Sequence, residues 1–242
     1  MEFDSLVLIF VMALGGAFIQ RVTGFGSGIF MMTVLPYLLP SYGEATTLSG
    51  LLSIMIAIPL LKYIWKNIEW RKIVPILITF LIVSWIAVEL INVVGDVFLK
   101  RLLGGMLILA ALWFYIFNDK VHVRPTIGIQ VSMGILSGFM GGFFGMQGPP
   151  AILYFLATAK DKNEYMAMAQ GYFFIGNVVM TFYRAKCGFL TSEVVLGWSC
   201  GAFAVIIGVM LGALVFKRIS STTLRKLVYA YMAISGLLAL IS

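Results

Sequence analysis

Ten apolar segments, separated by short charged or Gly/Pro-rich breaks, make up almost the whole 242-residue chain. A helix needs about 20 apolar residues to cross the hydrocarbon core of a bilayer. The chain is 61% hydrophobic and 11% charged, whereas soluble domains average roughly 45–50% and about 25%. The sequence therefore predicts an all-α integral membrane protein and argues against soluble enzymes and nucleic-acid-binding proteins. The segments are 5–20, 25–39, 45–65, 73–92, 99–117, 127–142, 149–159, 164–184, 193–216 and 223–241.

The segments fall into two length classes. The third, fourth, fifth, eighth, ninth and tenth approach or exceed the crossing length, and the other four are shorter. The short segments form two adjacent pairs, each joined by a glycine-rich turn. Since non-helical backbone at membrane depth must be covered by protein or water, we expect short broken helices or re-entrant hairpins at both places.

The two halves of the chain repeat this order of segments. Gly50–Ile54 lines up with Gly171–Ile175, and the basic pair after Leu99 lines up with the pair after Leu224, at offsets of 121 and 125 residues. Chance similarity between apolar stretches is the alternative, but the matching basic pairs favour duplication. An odd number of crossings in each half inserts the second half upside down. We therefore expect two inverted five-segment repeats, at 1–120 and 121–242.

Basic residues predict the orientation of the chain. If the segments alternate between two faces, 13 of the 17 Lys and Arg residues fall on one face. Basic loops remain in the cytoplasm, so we expect both termini on the extracytoplasmic side of the cell inner membrane. The acidic N-terminal sequence argues against a cleavable secretory signal. The four basic residues on the outer face are Lys100, Arg101, Arg184 and Lys186.

Catalytic and metal-binding residues are scarce. Two cysteines and one histidine cannot build a four-ligand zinc, haem or iron–sulfur site. No HExxH motif and no Ser/His pair occurs at membrane depth. The sequence predicts neither an enzyme nor a resident cofactor or metal.

The two glycine-rich breaks carry the candidate substrate site. A helix that restarts after a break presents unbonded N–H groups and a partial positive charge, which attract anions. Uncharged polar side chains add hydrogen bonds without the desolvation penalty of a full charge. Close helix packing by the glycines is the alternative. The predicted substrate-binding residues of the breaks are Arg21, Thr23, Gly24, Gly26, Ser27, Gly145, Gln147, Gly148 and Pro149.

Other polar residues in apolar segments have two interpretations each. Gln170 and Asn177 lie seven residues apart, hence on one helical face, and either line the substrate path or bond a neighbouring helix. Arg21 either binds the anion or is a cytoplasmic topology residue. Arg184 either attracts anions at an outer vestibule or anchors the helix at the membrane interface. Glu89 either carries a coupling proton or is a paired or snorkelling carboxylate.

The second break runs from Gly138 to Pro150, and the stretch 141–151 reads Gly-Gly-Phe-Phe-Gly-Met-Gln-Gly-Pro-Pro-Ala. Paired breaks of this kind in a two-half membrane chain resemble the TauE/SafE, or TSUP, family of sulfite exporters over essentially the whole length. Many members show consecutive glycines and then a single proline, from which Met146-Gln147 and Pro149-Pro150 depart. The resemblance implies passage of small sulfur-containing anions such as sulfite, thiosulfate or organosulfonates.

Inverted halves with broken segments at matching positions are typical of secondary transporters that work by alternating access. A passive channel that uses the breaks as a filter is the alternative, and a non-transport membrane assembly factor is a third class. We expect the anion and membrane lipids as partners, and no nucleic acid. A coupling proton or sodium ion and a homo-oligomer are both compatible with the sequence.

Overall fold

The computed structural model describes residues 2–91, 93–117 and 126–215, and every regular element in those ranges is helical. This confirms the all-α class. The tenth predicted segment, 223–241, lies outside the described residues. The elements are α1 Phe3–Thr23, α2 Ser27–Met32, α3 Leu35–Leu38, α4 Tyr42–Ile64, a 3-10 turn Trp65–Asn67, α5 Trp70–Ile91, α6 Asp96–Phe117, α7 Ile127–Phe144, α8 Gly148–Thr158, α9 Lys162–Lys186 and α10 Ser192–Val215.

Five of the described helices are long and apolar enough to cross a membrane, namely α1, α4, α5, α7 and α10. Their outward side chains include many large apolar residues, as expected of helices that face lipid. The multi-pass membrane class predicted from composition is therefore confirmed.

The expectation of four short segments is wrong for two of them. Helix α1 has 21 residues and α7 has 18, both long enough to cross. The short elements are α2 and α3, with six and four residues, and α8 with 11. Glycines at 138, 141 and 142, which the sequence placed in the second break, are helical. Helical glycine is tolerated there because neighbouring side chains fill the space it leaves.

Each of the two broken helices ends on a glycine in the left-handed conformation. Gly24 has φ +87° and its N–H donates to the Gln20 carbonyl. Gly145 has φ +65° and its N–H donates to the Gly141 carbonyl. Only glycine adopts such a backbone conformation without strain. The two end points are 121 residues apart, which is the offset of the sequence repeat.

Glycines bring the outer helices into close contact. Along α7, a Cβ atom on Gly134 or Gly138 would lie 2.8 or 2.9 Å from a carbonyl oxygen of α5, at Ile76 or Phe80. Along α10, Gly212 likewise meets the Phe18 carbonyl of α1 at 3.0 Å. Small residues at spacings of four allow backbones to approach in membranes. The extensive pairs are α5 with α7, α1 with α10, and α4 with α9.

Helices α4 and α9 run antiparallel through the centre of the fold. Thr46, near the start of α4, accepts a hydrogen bond from Arg184, near the end of α9. Ile68, just beyond α4, packs against Gly171 in the first half of α9. Helix α9 is buried from residue 164 to 173 and again at its polar residue Asn177, so that Gln170 and Asn177 both lie against protein. This enclosure explains how α9 can be more polar than the five lipid-facing spans.

Candidate functional site

The two breaks touch at the centre of the described fold. A Cβ atom on Gly28, in the first turn of α2, would lie 2.6 Å from the carbonyl oxygen of Gly145. That is shorter than any ordinary Cβ contact, so the approach requires glycine at this position. Residues 24–26 and 145–147 are thereby brought together although they are far apart in sequence.

A small cavity lies where the breaks meet. Its walls come from the end of α1, the start of α2, the middle of α4, the second break and α9. Hydroxyls, amides, backbone and apolar groups form the lining, and none of its described side chains is charged. The lining residues are Gln20, Gly26, Ser27, Gly28, Ile29, Ser53, Gly145, Met146, Gln147, Gly148, Phe173 and Asn177.

Six of the eleven residues predicted to bind substrate line this cavity. Three of them belong to the second break and its restarted helix, two to the first, and one to α9. Their common feature is an uncharged polar group or a bare backbone at the cavity wall. They are Gly26, Ser27, Gly145, Gln147, Gly148 and Asn177.

Four predicted residues surround the cavity without lining it. The Thr23 hydroxyl lies within hydrogen-bond distance of the Phe25 and Ile19 carbonyl oxygens, at 2.6 and 2.9 Å, and so completes the end of α1. Gln170 accepts a 2.9 Å hydrogen bond from Gln20 and donates at 2.8 Å to the Gly24 carbonyl. Gln170 thus ties α9 to the first break. Pro149 is buried in the first turn of α8.

Arg21 points away from the cavity. It is half-buried, and its Cβ and Cγ atoms pack against α10 at Gly212. Successive residues of an α-helix point about 100° apart, so the side chain of Gln20 faces the cavity while that of Arg21 faces α10. The structure therefore supports Gln20, rather than Arg21, as the α1 side chain of the site.

Hydroxyl and amide groups missed by the sequence analysis complete one wall. Ser27 donates a hydrogen bond to the Gln20 side-chain oxygen, and its own oxygen lies 3.2 Å from the Ser53 hydroxyl. Ser53 belongs to the repeated stretch Gly50–Ile54, where it is a polar residue in an apolar run. That isolation was the available sequence evidence for its role. Gly28, Ile29, Met146 and Phe173 carried no such evidence.

Gln147 contributes an unused hydrogen-bond donor. The residue is 5% exposed, and its Nε2 atom has no hydrogen-bond partner in the described part of the chain. Backbone donors are scarce beside it, because Pro149 and Pro150 have no N–H and the Ala151 N–H donates to Ser137. Buried amide donors are nearly always bonded. This one is therefore available to a molecule in the cavity.

Both interpretations of Arg184 are wrong. The residue is 1% exposed, so it lies neither at a vestibule nor at the membrane interface. Its Nη1 donates to the Thr46 carbonyl and its Nη2 to the Gly141 carbonyl, each at 2.9 Å. Arg184 lies in the last turns of α9, which packs on α4, and its guanidinium reaches across to α7.

Glu89 is exposed on α5 and does not line the cavity. Its carboxylate lies near the thiol of Cys187, which follows α9. Burial and this carboxylate raise the pKa of the Cys187 thiol. A coupling-proton role for Glu89 stays a prediction.

Comparison with known proteins assigns the chain. A family model described as sulfite exporter TauE/SafE matches residues 8–239, nearly the whole sequence. The chain belongs to the TauE/SafE family. This confirms the resemblance drawn from the second break, and makes the protein a member of a family of membrane transporters.

Two curated relatives agree with this TauE/SafE assignment. A protein of Cupriavidus necator, named a probable sulfite/organosulfonate exporter TauE, is 25% identical over 221 residues, or 90% of this chain and 86% of its own. A probable membrane transporter protein of Methanocaldococcus jannaschii is 22% identical over 267 residues, covering 100% of this chain and 98% of its own. No solved structure matches the chain.

Proposed function

We propose that this protein is a secondary transporter that moves a small sulfur-containing anion, such as sulfite, thiosulfate or an organosulfonate, by alternating access. The unpartnered Gln147 amide in an uncharged polar cavity carries the proposal. Sulfite and organosulfonate are the substrates named for the relative from Cupriavidus necator.

The cavity suits a small oxyanion chemically. Gln147 and Asn177 can each donate a hydrogen bond through a side-chain amide, and oxygen atoms of sulfite or a sulfonate accept them. The Ser27 and Ser53 hydroxyls donate to the Gln20 side-chain oxygen and the Ser49 carbonyl, and they would have to turn to donate to the anion. None of the described lining residues is a carboxylate that would repel the anion. The Phe173 ring and Met146 provide an apolar wall against which a short organic tail can pack. These features favour an anion with a compact sulfur–oxygen head.

An inverted duplication, with halves 1–120 and 121–242, accounts for the packing order. Helix α1 packs on α10, and α7 packs on α5. Since α7 is the counterpart of α1 in the second half and α10 is the counterpart of α5, exchanging the halves converts one pair into the other. The corresponding helices α4 and α9 are antiparallel, as inverted copies must be. The left-handed glycines Gly24 and Gly145 stand at corresponding positions. Together these relationships support a site on the boundary between two inverted halves.

Contacts between loops agree with the orientation inferred from charge. Lys72 donates to the Thr158 carbonyl and to Glu164, which places the α4–α5 and α8–α9 loops at one end of the fold. At the other end, the Tyr42 N–H donates to Asp96. The first end carries the basic loops, so we assign it to the cytoplasm and both termini to the outside of the inner membrane.

In alternating access, the two halves would move against each other at the contact between Gly28 and Gly145. One half rocks against the other around the cavity, and each movement opens the cavity to one side. The polar groups of both breaks stay with the substrate throughout.

The test uses the purified protein in liposomes. The liposomes are loaded with unlabelled sulfite or one of a series of alkanesulfonates. Uptake of the labelled substrate from outside is then followed, with the unlabelled concentration inside equal to or higher than that outside. A carrier shows counterflow, that is, transient uphill accumulation of label driven by the opposing unlabelled substrate. A channel, the second candidate, gives downhill flux without counterflow. Absence of any flux with the whole series would refute the proposal.

A further inference from the structure

Arg184 is a buried cation with only neutral hydrogen-bond partners. Its guanidinium donates to two backbone carbonyls, and its Nε has no partner in the described part of the chain. Among the described residues, no carboxylate oxygen lies within 4 Å of it, the recorded ion pair being that of Lys72 with Glu164. Buried charges are normally paired with an opposite charge. Arg184 therefore has no carboxylate partner among the described residues, and the buried phenol of Tyr42 is the titratable group that acts on it electrostatically.

This charge stands next to the cavity. The Nη1 atom of Arg184 and the Oδ1 atom of Asn177 lie 3.0 and 3.5 Å from the point where Gly50 would carry a Cβ atom. The two atoms are consequently no more than 6.5 Å apart, and Asn177 lines the cavity. Arg184 itself does not reach the lining.

The same guanidinium also fixes the second break. Its Nη2 donates to the Gly141 carbonyl, which accepts the Gly145 N–H that ends α7. Gly145 in turn lines the cavity and contacts Gly28. Arg184 therefore holds the second break, which forms one wall of the cavity, in place against α4 and α9.

We propose that Arg184 determines the charge selectivity of the cavity: its buried, unpaired cation makes the neutral lining prefer an anion, without direct contact. This inference rests on the proposed transport function. In a protein interior a nearby charge is screened far less than in water, and a bound anion supplies the missing counter-charge. Removing the charge is expected to weaken anion binding roughly tenfold.

The test compares Arg184→Lys and Arg184→Met with Lys186→Met, which removes an exposed positive charge two residues further along α9. The probe is methanesulfonate, whose single negative charge does not change between pH 6 and 9. Arg184→Met is expected to raise the apparent KM about tenfold at every pH, while Lys186→Met leaves it unchanged. Thermal unfolding of each purified variant shows that it is folded.

Arg184→Lys separates charge from packing. A buried lysine loses its proton much more readily than an exposed one, so residue 184 switches from charged to neutral within a single folded protein. We expect near-wild-type KM at pH 6, a roughly tenfold increase by pH 9, and no such change in the wild type. A purely structural role predicts a KM that does not depend on pH.

A flat pH profile for Arg184→Lys, or an unchanged KM in folded Arg184→Met, would overturn the inference while the transport function stands. If the wild-type protein transports neither sulfite nor any sulfonate, the proposed function fails first and the role of Arg184 with it. If Arg184→Met does not fold, the pH dependence of KM in Arg184→Lys alone tests the inference.

Discussion

Gly28 and Gly145 lie so close that a Cβ atom on Gly28 would stand 2.6 Å from the Gly145 carbonyl oxygen. Since the obstacle is backbone rather than a flexible side chain, the two breaks cannot accommodate even one methyl group without moving apart. The relationship explains the glycine at position 28, whereas the left-handed backbone, with φ +65°, favours glycine at position 145. It also identifies the contact at which substitutions should act most directly on transport.

Replacing Gly28 with alanine is expected to separate the two breaks and reduce transport at least tenfold. Overpacking of this kind costs about 1–3 kcal/mol, so most of the protein should remain folded. Gly105→Ala in α6 is the control, because a Cβ atom there meets no described atom within 4 Å. Liposome flux and thermal unfolding measure the two effects. Normal flux in Gly28→Ala would show that the breaks need not touch.

Gln147→Leu is expected to raise the apparent KM about tenfold with little change in thermal stability. Its Nε2 has no protein partner to lose, so removing it affects only a bound ligand. Gln170→Leu is the matched comparison, since its amide bonds Gln20 and the Gly24 carbonyl. That variant should lose about 1–3 kcal/mol of stability. Equal destabilisation in both variants would contradict the assignment of Gln147.

The ion pair of Lys72 and Glu164 is expected to stabilise the fold. Their 2.5 Å contact is largely buried, with side-chain exposures of 18% and 8%, and Lys72 also donates to the Thr158 carbonyl. Removing one partner of a buried pair leaves an uncompensated charge. Lys72→Met should therefore lower the unfolding temperature, and adding Glu164→Gln should restore part of the loss. A double variant no more stable than Lys72→Met would argue against pairing.

Gly138→Val is expected to prevent correct packing of α7 on α5. The new side chain would meet the Phe80 carbonyl at 2.9 Å and the Val83 Cβ at 2.7 Å. The same change at Gly128, which has no described atom within 4 Å of a Cβ, should be tolerated. The yield of monodisperse protein in detergent is measured for both variants and compared. Similar yields would mean that this helix pair is looser than its contacts indicate.

Membrane topology follows from the charge distribution. In a background lacking Cys187 and Cys200, cysteines introduced at Glu2 and Ser242 should react with an impermeant thiol reagent added outside whole cells. A cysteine at Lys66, in the basic α4–α5 loop, should react only after the membrane is permeabilised. Protection of Glu2 and Ser242, with labelling of Lys66, would invert the orientation.

Much of the fold could be predicted from local sequence. Apolar runs bounded by charges located nine segments that overlap described helices, and the glycine at each break marked a helix end. The lengths of the helices were less predictable, because α1 and α7 continue past their expected ends, up to Gly24 and Gly145. A glycine such as Gly138 looks like a break in sequence, yet it remains helical when α5 fills the space beside it. That outcome depends on a neighbour 50 or more residues away.

By itself, the sequence determined the membrane class, the helical architecture, the two breaks and the family, because hydropathy and glycine act on the chain locally. Tertiary structure decided which side chains form the cavity. Gln20 faces it and the adjacent Arg21 does not, because helical geometry turns consecutive residues about 100° apart and α10 occupies the other side. Arg184 is buried because α9 packs on α4 and the guanidinium reaches carbonyls of both α4 and α7, and such contacts depend on packing between distant segments.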